Sequence, residues 1–182
     1  MSYQRWILVA VGLFALGMAL GLAMPENTAD VLAEDLAAIE KLARLMGPFK
    51  ISTVVFIFLK NVSALLLSFV FSPLLCLVPV LALTVNGWLL SFVSATVIKQ
   101  ESVGILLAGL LPHGVFEIPA LIIGEAAALS FGTMAIIALV SRERRGRLSL
   151  NLKQNIRYMV LAFALLLPAA VIETYITPLL LG

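Results

Sequence analysis

The sequence predicts an all-α membrane protein: a polytopic bundle of five spans plus a re-entrant or broken half-helix, in one domain over residues 1–182. Two observations predict this class. The chain is 62% hydrophobic and 12% charged, whereas a soluble domain carries roughly 25% charged residues. The charges also separate apolar segments that reach the ~20 residues a spanning helix needs. The net charge of +2 gives no reason to expect a nucleic-acid partner.

The first span is predicted over residues 6–24, which carry no charge. This stretch exceeds the roughly 7–15 apolar residues of a signal-peptide core, and the Ala-Met-Pro at its end is a poor cleavage site. We therefore expect it to be retained as a helix. Gly17 and Gly21 lie four residues apart within it, a spacing that favours close packing between helices.

Residues 25–50 are predicted to form an extracytoplasmic amphipathic helix. Apolar side chains recur there at helical spacing, and Gly47-Pro48 ends the pattern. Such a helix lies at the membrane interface, where it covers the outer face of the bundle or binds a partner protein. The apolar positions are Leu32, Leu36, Ile39, Ala43 and Met46.

Two further spans are predicted between residues 51 and 98, where Lys60 is the only charged residue. The segment is too long for one crossing of a ~30 Å hydrocarbon core and suits two. Ser72-Pro73 and Pro79 supply the break, so the spans are placed at 51–71 and 74–97.

The segment Val103–Val140 is too long for one simple span and short for two. We predict a half-helix over 103–111, a backbone break at Pro112, Gly114 and Pro119, and a full span over 116–140. The alternative is one long, tilted and kinked helix. A basic loop over 142–157, with a short surface helix from residue 148, then leads to a last span over 158–178.

The distribution of Lys and Arg predicts the orientation in the plasma membrane. Residues 1–5 and 142–157 share one side and carry seven basic residues against one acid. The opposite side carries four basic and six acidic residues. The positive-inside rule therefore places the N-terminus and the basic loop in the cytoplasm and the C-terminus outside. The arginine cluster also suits contact with anionic lipids.

Seven polar or titratable residues fall within the predicted spans and form a candidate polar core. An unpaired charge at the bilayer centre costs about 2.5–3.5 kcal/mol, so these side chains are expected to face inward and to pair. Lys60 with Glu117 or Glu173 is the expected ion pair. The candidate residues are Lys60, Asn61, Asn86, His113, Glu117, Glu125 and Glu173.

Three kinds of function fit such a core. It can hold together a membrane scaffold that positions other proteins, or it can serve a small transporter or channel that uses the His, Glu and Lys side chains. His113 and Glu117 are also candidate metal ligands, because residues at i and i+4 share one helix face and Glu173 can supply a third ligand. No nucleophile elbow and no second histidine are present, so we predict no catalytic residues, no cofactor and no enzyme.

Four strings combine polar and helix-breaking residues within apolar sequence: 58–61 (FLKN), 83–87 (LTVNG), 111–120 (LPHGVFEIPA) and 172–178 (IETYITP). They resemble the stage II sporulation protein M family of integral membrane proteins, whose His, Glu and Asn-Gly match His113, Glu117 and Asn86-Gly87. The named member belongs to a membrane complex that recruits cell-wall hydrolases. The resemblance therefore implies a membrane scaffold or anchor for unidentified membrane or envelope proteins. Sporulation itself is not implied, because the family also occurs in organisms that form no spores.

Small residues also form one stripe on the fourth span, at Gly124, Ala128 and Gly132. Their spacing by four offers a face for close packing, either within the bundle or across a homodimer.

Overall fold

A computed structural model describes residues 3–24 and 47–181, and this part of the chain is helical with short connections. Five helices are long and apolar enough to cross a membrane, which confirms the predicted five-span bundle. The predicted amphipathic helix falls mostly on residues 25–46, which lie outside the described part. The helices are α1 Tyr3–Leu22, α2 Ile51–Phe71, α3 Leu77–Gln100, α4 Val103–Val140, α5 Arg142–Arg145, α6 Leu148–Tyr175 and α7 Thr177–Leu181.

Glycines hold α1 close against α3. A Cβ on Gly17 would overlap the backbone of Thr84, and one on Gly21 would overlap the backbone of Trp88. From the other side, a Cβ on Gly87 would overlap the backbone of Phe14. Without hydrophobic driving force between helices in lipid, such close backbone approach is a main source of packing energy. The predicted role of Gly17 and Gly21 is confirmed.

The predicted break at Ser72-Pro73 is the turn between α2 and α3. Leu75 and Cys76 adopt the left-handed region there, with φ of 54° and 56°, and the Cys76 N–H donates to the Ser72 carbonyl at 2.9 Å. Pro79 lies in the first turn of α3, where a backbone N–H has no partner within the helix in any case.

The predicted half-helix is wrong, because Val103–Val140 is one helix of 38 residues. Pro112, Gly114 and Pro119 lie inside it and are not a backbone break. Each proline removes one backbone hydrogen bond, and the remaining bonds together with packing on neighbouring helices keep the helix intact. The alternative of one long helix is therefore the observed one. At ~1.5 Å per residue it exceeds a ~30 Å hydrocarbon core.

α4 is the central helix, and it contacts each of the other four long helices. Its small-residue stripe is buried inside the bundle. A Cβ on Gly124 would meet the Leu65 side chain, and one on Gly132 would overlap the backbone of Ser72. Of the two alternatives for this stripe, packing within the bundle is therefore the one observed.

The basic segment is shorter than predicted. Residues 142–147 are exposed, and the Arg145 guanidinium donates to the carbonyls of Ala138 and Leu139 at 3.0 and 3.4 Å, which caps the C-terminus of α4. Residues 148–157 are the first turns of α6 rather than loop or a separate surface helix. Asn155 within them is buried and donates to Ser130 at 3.3 Å, which ties this end of α6 to α4.

We expect Gly17→Ala and Gly87→Ala to lower the stability of the purified protein by about 1–3 kcal/mol each, because the added methyl group forces α1 away from α3. Gly12→Ala is the matched control, since no atom lies within 4 Å of a Cβ at that position. Thermal unfolding in detergent measures the difference. Equal midpoints for Gly12→Ala and Gly17→Ala would show that the glycine contact does not hold α1 in place.

Candidate functional site

His113 lies on α4 one turn before Glu117, and its two ring nitrogens face different neighbours. Nε2 faces the Glu117 carboxylate with 3.8 Å to Oε2. Nδ1 is 3.4 Å from the Thr177 hydroxyl at the start of α7. Thr177 is buried, so its hydroxyl is placed to orient the imidazole rather than to meet a solute. Nε2 is therefore the ring nitrogen that faces the Glu117 carboxylate.

Glu117 is linked to α2 by a hydrogen bond, in which Asn61 Nδ2 donates to Oε1 at 3.1 Å. Asn61 is the eleventh of the 21 residues of α2. A helix of that length spans about 32 Å, the thickness of one hydrocarbon core. Glu117 therefore lies near the middle of the membrane, roughly 15 Å from either end of α2.

Glu173, near the end of α6, completes a three-residue cluster. One ligand atom from each of His113, Glu117 and Glu173 lies within 4.8 Å of the others. The two carboxylates repel each other electrostatically, and Lys60 attracts Glu173. Lys60 is exposed, however, and makes no ion pair within 4.0 Å to an acid of the described helices. The expected Lys60 ion pair with Glu117 or Glu173 is thus not formed there.

Glu125 forms a second, separate polar site on α4. It is 1% exposed, and its carboxylate accepts a hydrogen bond from the Ser68 hydroxyl of α2. Eight residues separate Glu125 from Glu117, which corresponds to about 12 Å along the helix. Glu125 faces inward, as the sequence predicts. It lies closer to the C-terminal end of α4 than the His113 cluster and is not part of that cluster.

Both sites open into one cavity of about 670 Å³ that lies mainly between α2, α3 and α4 and is also lined by α6. Along α4 it runs from Ile105 to Glu125, a separation of about 30 Å at the rise of an α-helix. Asn86 also lines it, although the Asn86 amide donates to the Ala82 carbonyl of its own helix at 2.7 Å. The polar lining residues are Asn61, Ser68, Asn86, Ser94, His113, Glu117, Glu125 and Glu173.

Six of the seven residues predicted for the polar core therefore line the cavity, and Lys60 is the exception. Two side chains that contact these residues, Ser68 at Glu125 and Thr177 at His113, were not predicted. Thr177 belongs to the C-terminal string that carries the family resemblance, so a signal for it was present. Ser68 stands alone in an apolar run, and only the packing of α2 on α4 reveals its role.

Comparison with known proteins supports the resemblance. The sequence profile described as Stage II sporulation protein M matches residues 9–178. An uncharacterized protein of Methanocaldococcus jannaschii is 29% identical over 92 residues, 50% of this chain and 50% of the relative. The chain thus spans about half the length of the curated relative it matches. No solved structure matches the chain significantly.

We expect Ser68→Ala to destabilise the protein by about 1–3 kcal/mol, because it leaves the buried Glu125 carboxyl without its hydrogen-bond donor. Ser63→Ala on the same helix is the control, because Ser63 is exposed. The comparison is made by thermal unfolding in detergent. A Ser68→Ala protein as stable as Ser63→Ala would mean that Glu125 does not depend on this bond.

Proposed function

The chain belongs to the stage II sporulation protein M family, and we propose that this member is a small membrane transporter for a cationic solute. In this proposal the solute binds in the cavity between α2, α3 and α4, and no covalent reaction takes place. The single observation that carries the proposal is a cavity at membrane depth that is lined by three carboxylates, Glu117, Glu125 and Glu173.

The size and walls of the cavity support a small-molecule or ion site. Ligand pockets commonly enclose roughly 300–1,000 Å³, with mainly apolar walls and a few placed polar groups. The volume of about 670 Å³ lies within that range, and its apolar walls include Leu89, Ile118 and Leu166. A bundle that served only as a rigid anchor has no need for such a space.

The charge of the lining supports a cation. Three carboxylates and one imidazole face the cavity, and the described lining contains no Lys or Arg. A carboxylate in a low-dielectric environment is stable only when a cation or a proton compensates it. Because Lys60 lies outside the cavity lining, a cationic solute in the cavity can supply the compensating charge.

The extent of the cavity supports entry from one side. It reaches Val97 near the end of α3 and Ile105 near the start of α4, the ends that the positive-inside rule places outside the cell. At the other end it reaches Val78, next to the Ser72–Cys76 turn that packs on Gly132. Passage into the cytoplasm then requires this turn to move, as alternating access demands.

A scaffold role is the second candidate, and the exposed segment around α5 favours it. Arg142, Arg144, Arg145 and Arg147 are exposed beyond the end of α4, on the side that we propose to be cytoplasmic. Such a patch suits anionic lipid headgroups or an acidic surface of a membrane or envelope protein. Under this role the polar cavity residues stabilise the bundle and carry no solute.

We expect water to reach the cavity from outside. In a Cys76→Ala background, Ala64→Cys should react in whole cells with a membrane-impermeant charged thiol reagent, because Ala64 lines the cavity. Leu66→Cys is the control, since Leu66 is 43% exposed but lies on the opposite face of α2. Equal reactivity of the two cysteines would argue for a dry cavity, and with it for the scaffold role.

We also expect Glu117→Gln to reduce cation flux in proteoliposomes by about tenfold or more, the change that ~1.4 kcal/mol of lost attraction produces. A panel of monovalent cations, divalent cations and small organic amines identifies the solute. Glu143→Gln is the control, because Glu143 is exposed outside the cavity. No flux above empty liposomes for any member of the panel would reject transport.

A further inference from the structure

We propose that the cation is a divalent transition-metal ion, bound by His113 Nε2 and by the carboxylates of Glu117 and Glu173. That the ion is carried across the membrane rests on the proposed function. That it is bound rests only on the geometry of this cluster, so the two statements can fail independently.

The three donor atoms are already close to the arrangement that a metal requires. Nε2 of His113 and Oε2 of Glu117 are 3.8 Å apart, and one ligand atom from each of the three residues lies within 4.8 Å of the others. Ligands bound at about 2.0–2.2 Å in a tetrahedral site are separated by roughly 3.5 Å. Shifts of about 1 Å in the side-chain donor atoms would bring their separations to this value without movement of α4 or α6.

The surroundings hold the donors in the orientation for binding. The Thr177 hydroxyl contacts Nδ1 of His113, so an Nδ1–H that donates to it leaves the lone pair of Nε2 for the ion. The Asn61 amide donates to Oε1 of Glu117 and leaves Oε2 facing His113. Metal-ligating histidines and carboxylates are typically held by such outer hydrogen bonds.

The donor set selects the class of ion. One neutral imidazole and two carboxylates carry a charge of about −2, which a divalent ion balances at membrane depth. Imidazole favours Zn²⁺, Fe²⁺, Co²⁺ or Ni²⁺ over Mg²⁺ and Ca²⁺, which prefer all-oxygen sites. Without an ion, the carboxylates of Glu117 and Glu173 repel each other, and Lys60 makes no close ion pair with either among the described helices.

The experiment measures metal binding to the full chain in lipid nanodiscs. Zn²⁺ titration by calorimetry and Co²⁺ titration by visible absorption should each give one site per chain. His113→Gln and Glu173→Gln should weaken binding at least about 100-fold, and Glu143→Gln should leave it unchanged. Thr177→Val keeps all three donors but removes the outer contact, so it should weaken binding about 10–100-fold.

Thr177→Val also keeps the inference testable if His113→Gln does not fold. Absence of binding in the wild-type protein, or unchanged binding in both Glu173→Gln and Thr177→Val, would overturn the metal site. Metal binding without flux of any cation would reject transport and leave the site standing. Flux of organic amines in a protein that binds no metal would reject the metal site and leave the transport proposal standing.

Discussion

A carboxylate cannot face hydrocarbon without a compensating partner, and this constraint determines how the bundle is arranged around α4. Glu117 and Glu125 lie on this one helix, and each receives a hydrogen bond from α2, from Asn61 and Ser68 respectively. The two bonds fix the register of α2 on α4 at two heights. The N-terminal part of α6 is fixed to α4 by the Asn155 amide, which donates a hydrogen bond to Ser130. Polar contacts therefore set the register, which lipid-facing apolar side chains cannot do.

Small residues then decide which helices come close and where space is left. Gly17, Gly21 and Gly87 bring α1 onto α3, whereas Gly124 and Gly132 bring α2 and its following turn onto α4. α2 and α3 are joined by a tight turn but make only limited contact along their lengths. The gap between them is the cavity. It follows from two separate sets of close contacts, each of which pulls one helix away from the other.

The sequence was sufficient for the spans because span length depends on local properties, namely apolar runs bounded by charges. It failed at Pro112 and Pro119, because whether a proline breaks a helix depends on the packing around it. It also failed for Lys60. Lys60 and Asn61 are neighbours in sequence, but a helix turns about 100° per residue, so only Asn61 faces Glu117. Ser68 and Thr177 went unpredicted because the register between helices is a tertiary property.

The two acidic sites on α4 differ in a way that suits passage of an ion more than permanent storage. The His113, Glu117 and Glu173 cluster offers three donors, and the Glu125 site offers one carboxylate already bonded to Ser68. An ion held by three donors is bound tightly and released slowly, whereas a single carboxylate binds weakly. A conducting protein needs favourable entry but also release from several sites of graded strength. With about 12 Å between the sites, an ion that leaves the His113 cluster would meet one further acidic side chain, Glu125, before the Ser72–Cys76 turn.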